Sequence, residues 1–109
     1  MSLNTNVDFD YDKNQWIIKP IGEIDIYTSS VFKEDVVNAF ENRKADLVIK
    51  GEHLEYIDST GLGALISVLK TLQETEFEIY IDNIKPNIRK LFDITELDKL
   101  FIIRGEGDE

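Results

Sequence analysis

The sequence predicts a single α/β domain with a mostly parallel, mixed sheet of about five strands and an N-terminal hairpin. Three observations lead to this class. The 109 residues have the length of one domain, and no linker-like segment divides them. The composition, 42% hydrophobic and 31% charged, is that of a folded globular chain. Patterns typical of strands and of helices follow in the order β-β-α-β-α-β-α-β, which favours parallel strands joined by helices.

The N-terminal hairpin is predicted from alternation and turn chemistry. Apolar residues alternate with aspartates over residues 7–12, which is typical of a strand with one solvated face. The polar run 12–14 can form the turn, and a second strand begins at Trp16. We expect Gly22 to end this second strand.

Two helices are predicted on either side of a buried strand. Residues 28–30 offer N-caps for a helix that runs to about Asn42, and 47–49 form a continuous apolar run of the kind found in strands covered on both faces. A second helix is predicted over 60–74 from apolar residues at helical spacing. The apolar stripe of the first helix is Val31, Phe32, Val36, Ala39 and Phe40, and that of the second is Leu62, Leu65, Ile66, Leu69 and Leu72.

The last third of the chain predicts strand, helix and strand. Residues 77–81 and 101–103 have strand patterns, and Pro86 suits the first turn of a helix between them. A further short helix is expected around Leu97. The polar tail 105–109 is expected to be frayed.

Composition excludes several classes of function. Twelve basic against 22 acidic residues give a net charge of −10, which argues against a nucleic-acid partner. The absence of cysteine excludes disulfides and thiolate metal sites. The apolar runs are too short for a membrane helix, and the first residues lack a signal-peptide pattern, so no membrane association and a cytoplasmic location are expected.

The motifs of common enzyme classes are also missing. His53 is the only histidine, and Ile57 stands where a nucleophile elbow around Ser59 needs glycine. Gly61 and Gly63 begin a dinucleotide fingerprint, but its third glycine is replaced by Ile66. We therefore expect a protein that is not an enzyme and that binds no cofactor and no metal.

The segment 56–65 is the strongest candidate for a functional site. It lies between a buried strand and an amphipathic helix, where either Ser59 or Thr60 can serve as the N-cap. The first turn of a helix also suits a phosphate, because its free N–H groups and its dipole favour negative charge. In open α/β sheets this carboxyl edge is where ligands and partners usually bind.

Three segments resemble the anti-sigma factor antagonists of the STAS domain family. Residues 58–63, Asp-Ser-Thr-Gly-Leu-Gly, are similar to the family's phosphorylation motif. Residues 22–25, Gly-Glu-Ile-Asp, resemble its signature before the first helix, and 90–97 resemble its C-terminal pattern. The resemblance covers about 7–103. It implies a single STAS domain over 1–109 whose helices pack mainly on one face of the sheet.

The resemblance also implies partner switching. The unphosphorylated chain would bind an anti-sigma factor that is a Ser/Thr kinase and so free the sigma factor, phosphorylation at Ser59 would release the complex, and a Ser/Thr phosphatase would reset it. ATP and magnesium would belong to the kinase. The partner-binding residues implied are Asp25, Asp58, Ser59, Thr60 and Gly61.

One alternative remains open at this point. A STAS domain can also be a non-catalytic scaffold or regulatory subunit of a stress-signalling assembly or a transport system. For either function we expect a monomer or a weak dimer.

Overall fold

The computed structural model describes residues 2–105 as one sheet covered by helices. Its elements in chain order are β1 (Leu3–Asp10), β2 (Gln15–Ile24), α1 (Ser29–Asn42), β3 (Asp46–Lys50), β4 (Leu54–Ile57), α2 (Ser59–Leu72), β5 (Ile79–Asp82), α3 (Pro86–Ile94), a short 3₁₀ helix (Leu97–Lys99) and β6 (Ile102–Arg104). The predicted frayed tail lies outside the described residues from position 106 onward.

The sheet is mixed and mostly parallel, as predicted. Its strand order is β1-β2-β3-β5-β6, and β4 pairs with β2 beyond the point where β3 ends. β1 and β2 form the antiparallel hairpin, and every other pairing is parallel. The α/β class and the N-terminal hairpin are therefore confirmed.

The prediction that Gly22 ends the second strand is wrong. β2 continues to Ile24, and its register against β4 shifts between Gly22 and Glu23. Gly22 has a φ of +118°, and a Cβ there would lie 2.3 Å from the carbonyl oxygen of Ser2, so only glycine fits this position. The glycine marks a bulge that lets β2 continue along β4 after it has paired with β3.

One of the six strands, β4, was not predicted from the sequence patterns. β4 has only four residues, and its burial runs buried, exposed, exposed, buried. Such a segment shows neither clean alternation nor a continuous apolar run, so local periodicity gives no strand signal. Because β4 ends at Ile57, Asp58 lies at the edge of the sheet.

The helices pack on one face of the sheet. Trp16, Leu47 and Ile79 lie on neighbouring strands and share that face by register. They belong to the same core cluster as the buried side chains of the helices, which are Phe32, Val36, Ala39 and Phe40 of α1, Leu65, Val68 and Leu72 of α2, and Ile88 and Phe92 of α3. Among residues 2–105, no helix is long and apolar enough to cross a membrane.

Candidate functional site

The ends of β2 and β4 bring the predicted site residues together. The two strands run parallel with Ile24 opposite Ile57, so the segments that follow them leave the sheet at the same edge. The N–H of Asp58 donates to the carbonyl of Ile24 at 3.3 Å. As a result Asp25, the first residue of the loop between β2 and α1, lies at the same edge as residues 58–61.

Asp58, and neither Ser59 nor Thr60, is the N-cap of α2. Its Oδ1 accepts hydrogen bonds from the N–H groups of Thr60 at 2.9 Å and Gly61 at 3.1 Å, and from the hydroxyl of Thr60. The expectation of a hydroxyl cap is therefore wrong, because β4 ends at Ile57 and leaves Asp58 in the extended conformation that a cap residue adopts.

The cap keeps Asp58 ionised. The hydrogen bond from the Thr60 hydroxyl lowers the pKa of Asp58 most, and N–H groups of Gly61, Thr60 and Ile26 add to this effect against partial burial, which raises it. A fixed negative charge therefore stands directly beside Ser59.

Ser59 is the first residue of α2, and its side chain is exposed. Its hydroxyl makes no hydrogen bond to any residue in the described range 2–105, whereas the neighbouring hydroxyl of Thr60 is held by Asp58. Because Asp58 already caps the helix, the Ser59 hydroxyl has no structural task. Both hydroxyl residues of the motif are exposed, but only the Ser59 hydroxyl is left unbonded among residues 2–105.

Asp25 organises the loop between β2 and α1. Its side chain is only 3% exposed, and its Oδ1 accepts from the N–H groups of Tyr27 at 2.9 Å and Thr28 at 3.2 Å. The Thr28 hydroxyl accepts from the N–H of Asp25 and donates to the carbonyl of Glu23, so it makes no capping bond to α1. Within the part of the chain that the structure describes, the buried Oδ2 of Asp25 has no partner.

Gly61 and Gly63 stand in different surroundings on the first turns of α2. A Cβ on Gly61 would lie 2.6 Å from the carbonyl oxygen of Ile24 and 2.5 Å from Cγ1 of Ile57. Gly61 therefore allows α2 to approach the end of β2 closely. A Cβ on Gly63 would meet no atom within 4 Å, and this residue is exposed about one turn beyond Ser59.

The sequence patterns missed an apolar surface beside these residues. Ile26 and Tyr27 are 67% and 77% exposed, and Val31, which the helical spacing placed in the core, is 57% exposed. In the sequence, the only indication of this apolar surface is that Ile26 and Tyr27 directly follow Asp25. No group of His, Asp or Glu side chains among the described residues is arranged to hold a metal ion.

The fold and site define a small α/β domain that presents the exposed, unbonded Ser59 hydroxyl at the start of α2, at the same sheet edge as an ordered loop. The chain matches the family model of the STAS domain over residues 6–108, and it therefore belongs to this family, as its motifs indicated.

Relatives with known names agree with this assignment. An anti-sigma-B factor antagonist from Staphylococcus aureus is 32% identical over 107 residues, which is 98% of each chain. The crystal structure of an anti-sigma factor antagonist from Mycobacterium paratuberculosis superposes with a TM-score of 0.79 at 28% identity and covers 94% of this chain and 86% of that one. The Bacillus cell fate determinant SpoIIAA, solved in its phosphorylated form, shares the fold at 19% identity with a TM-score of 0.71 over 92% of this chain and 90% of that one.

Proposed function

We propose that this chain is an anti-sigma factor antagonist that works by partner switching at Ser59. Unmodified, it binds an anti-sigma factor that is also a Ser/Thr kinase, and the sigma factor is freed. The kinase phosphorylates Ser59, the complex separates, and a Ser/Thr phosphatase restores the first state. The names of the relatives support the antagonist function. The observation that carries the choice of residue is the free, exposed hydroxyl of Ser59 between two residues that bond each other.

The position of Ser59 suits a switch that changes binding without unfolding the domain. Phosphorylation adds about −1.5 to −2 charge at neutral pH. The positive end of the α2 dipole offsets part of the repulsion from Asp58. α2 is held mainly by buried side chains, such as Leu65 and Val68, and these lie beyond the first turn. The fold therefore tolerates the phosphate, while a partner surface shaped for a neutral hydroxyl does not.

The other site residues have supporting functions in this proposal. Asp25 holds the loop beside Ser59, Asp58 and Thr60 define the first turn of α2, and Gly61 sets how closely that turn approaches β2. The chain itself catalyses no reaction and holds no cofactor. ATP and its magnesium are bound by the kinase.

The test is phosphorylation by a purified anti-sigma factor kinase from the same organism with Mg-ATP, followed by phosphopeptide mapping. We expect one phosphate, on Ser59, and none with ATP alone. Ser59→Ala should fold, bind the kinase and never be released by ATP. Ser59→Asp should fold and bind poorly. Ser29→Ala is the matched control, because Ser29 is the first residue of α1 as Ser59 is of α2.

Two results would contradict the proposal. Phosphate on Thr60 or Thr28 would overturn the choice of Ser59. Equal affinity of Ser59→Ala and Ser59→Asp for the kinase, with both variants folded by circular dichroism, would show that charge at this position is not the switch. The scaffold or regulatory-subunit function would then be the better explanation.

A further inference from the structure

A groove with an apolar rim lies between the start of β1 and the start of α1, and two of its lining residues, Tyr27 and Thr28, belong to the loop that follows Asp25. It has a volume of about 170 Å³ and is lined by Leu3, Thr5, Tyr27, Thr28, Val31 and Asp35; we call it the docking groove. Tyr27 and Val31 are its most exposed apolar residues. Single exposed apolar side chains are common, but neighbouring ones along a groove mark surfaces that bind partners.

The groove is built on an ordered loop. Asp25 is buried at the start of this loop, and its carboxylate accepts hydrogen bonds from the N–H groups of the groove residues Tyr27 and Thr28. The exposed Tyr27 ring therefore projects from a backbone that is already fixed. Binding of a partner to this ring loses little conformational entropy from the loop, because the loop is already ordered before binding.

The same loop connects the groove to Ser59. The loop follows Ile24, whose carbonyl accepts the N–H of Asp58, and Asp58 caps the helix that begins at Ser59. Ile26 is itself exposed and lies between the groove residue Tyr27 and the site. A partner that contacts Ser59 and this loop would therefore also meet the exposed side chains of Ile26 and Tyr27, and Tyr27 lines the groove.

Charge indicates what the groove accepts. Asp35 lines the groove and is exposed, and it forms no ion pair with any residue in the range 2–105. The whole chain carries a net charge of −10, so a basic segment is attracted over a longer range as well. An apolar side chain next to a Lys or Arg matches both the apolar rim and the carboxylate.

We propose that the docking groove binds an apolar residue flanked by a basic one on the anti-sigma factor kinase that modifies Ser59. This inference rests on the proposed function. It divides the interface into two parts. The groove contributes affinity for the kinase whether or not Ser59 is phosphorylated. The phosphorylation of Ser59 determines whether the complex separates.

The test is the steady-state phosphorylation of Ser59 by the purified anti-sigma factor kinase, with the full chain as substrate. We expect Tyr27→Ser combined with Val31→Ser to raise KM roughly tenfold or more, the size typical of interface hot spots, and to leave kcat unchanged. Asp35→Lys should raise KM and reduce its dependence on salt. Ile94→Ser is the matched control, because Ile94 is 70% exposed on α3, and it should change neither constant.

The outcomes separate the two proposals. If KM of the Tyr27/Val31 variant equals that of the wild type while Ser59 is still phosphorylated, the groove proposal is wrong and the proposed function stands. If the kinase neither binds nor phosphorylates the wild-type chain, both proposals fall. If sedimentation shows a dimer that the variant abolishes while KM is unchanged, the groove binds a second copy and our assignment of the kinase is wrong.

Discussion

Gly61 and Gly63 of α2 allow two effects on stability to be measured separately: the close packing of the helix at the site and the helix propensity of the residue. A Cβ on Gly61 would come within 2.6 Å of the Ile24 carbonyl oxygen, which belongs to the backbone of β2, whereas a Cβ on Gly63 would meet nothing. Gly61→Ala and Gly63→Ala therefore add the same methyl group to the same helix in opposite surroundings. The difference between the two variants measures how much the close approach of α2 to β2 matters.

The expected magnitudes follow from these distances. Alanine is favoured over glycine in a helix by about 1 kcal/mol, so Gly63→Ala should raise the free energy of unfolding by about that amount. Gly61→Ala has the same gain but must displace a backbone carbonyl, and overpacking costs about 1–3 kcal/mol. Since a backbone atom yields less than a side chain, we expect a net loss of about 1–2 kcal/mol for Gly61→Ala.

Urea unfolding followed by circular dichroism tests this difference, and thermal unfolding gives a second reading of about 4–8 °C per kcal/mol. The Ile24 carbonyl also accepts the N–H of Asp58, so Gly61→Ala should slow phosphorylation of Ser59 as well. Equal free energies of unfolding for the two variants would refute the argument that the site requires glycine at position 61.

Two carboxylates of the fold should respond to acid. Asp82 is buried, which opposes its ionisation, but hydrogen bonds and charges from Arg104 and Lys50 outweigh this and lower its pKa. Asp82→Asn should lower the free energy of unfolding at pH 7 by about 3 kcal/mol, the low end for a buried pair, because both cations are partly exposed. Folding lowers the pKa of Asp82 and Asp58, so their stabilisation is complete above the unfolded value of about 3.9 and is lost as pH falls through the folded value. The deficit of Asp82→Asn should therefore shrink in acid, and a deficit that stays constant from about pH 7 to pH 2 would contradict this origin. Asp58→Asn should keep the fold, since asparagine also caps helices, and should flatten the acid limb of the stability profile measured by urea unfolding.

Local pattern was sufficient for the elements with strong periodicity. The alternation in β1, the apolar run of β3 and the stripe of α2 each have enough residues to distinguish a strand from a helix. The residues at the site could be predicted from the sequence for another reason. Asp58, Ser59, Thr60 and Gly61 are contiguous in the sequence, so a short motif contains most of the site.

Features that depend on contacts between distant segments could not be predicted from local sequence patterns. β4 is too short to show a period, and the bulge at Gly22 is defined by its distance to Ser2 and by the change of partner strand. Val31 belongs with buried Phe32 to the apolar stripe predicted for α1, but it stays exposed because it lies on the groove side of that helix. Spacing places a residue on a helix, but only the neighbouring elements determine whether that residue is covered.

The sequence by itself determined the α/β class, the hairpin, the helix that begins near residue 59 and the family motif, because these depend on period and on adjacent residues. Tertiary structure alone decided that Asp58 caps α2 and that the Ser59 hydroxyl is left free, since the cap depends on the residue at which β4 ends. It also decided that Asp25 is buried beside this site. That proximity arises where β2 passes its bulge and pairs with β4, which joins segments more than 30 residues apart through backbone hydrogen bonds that no local pattern encodes.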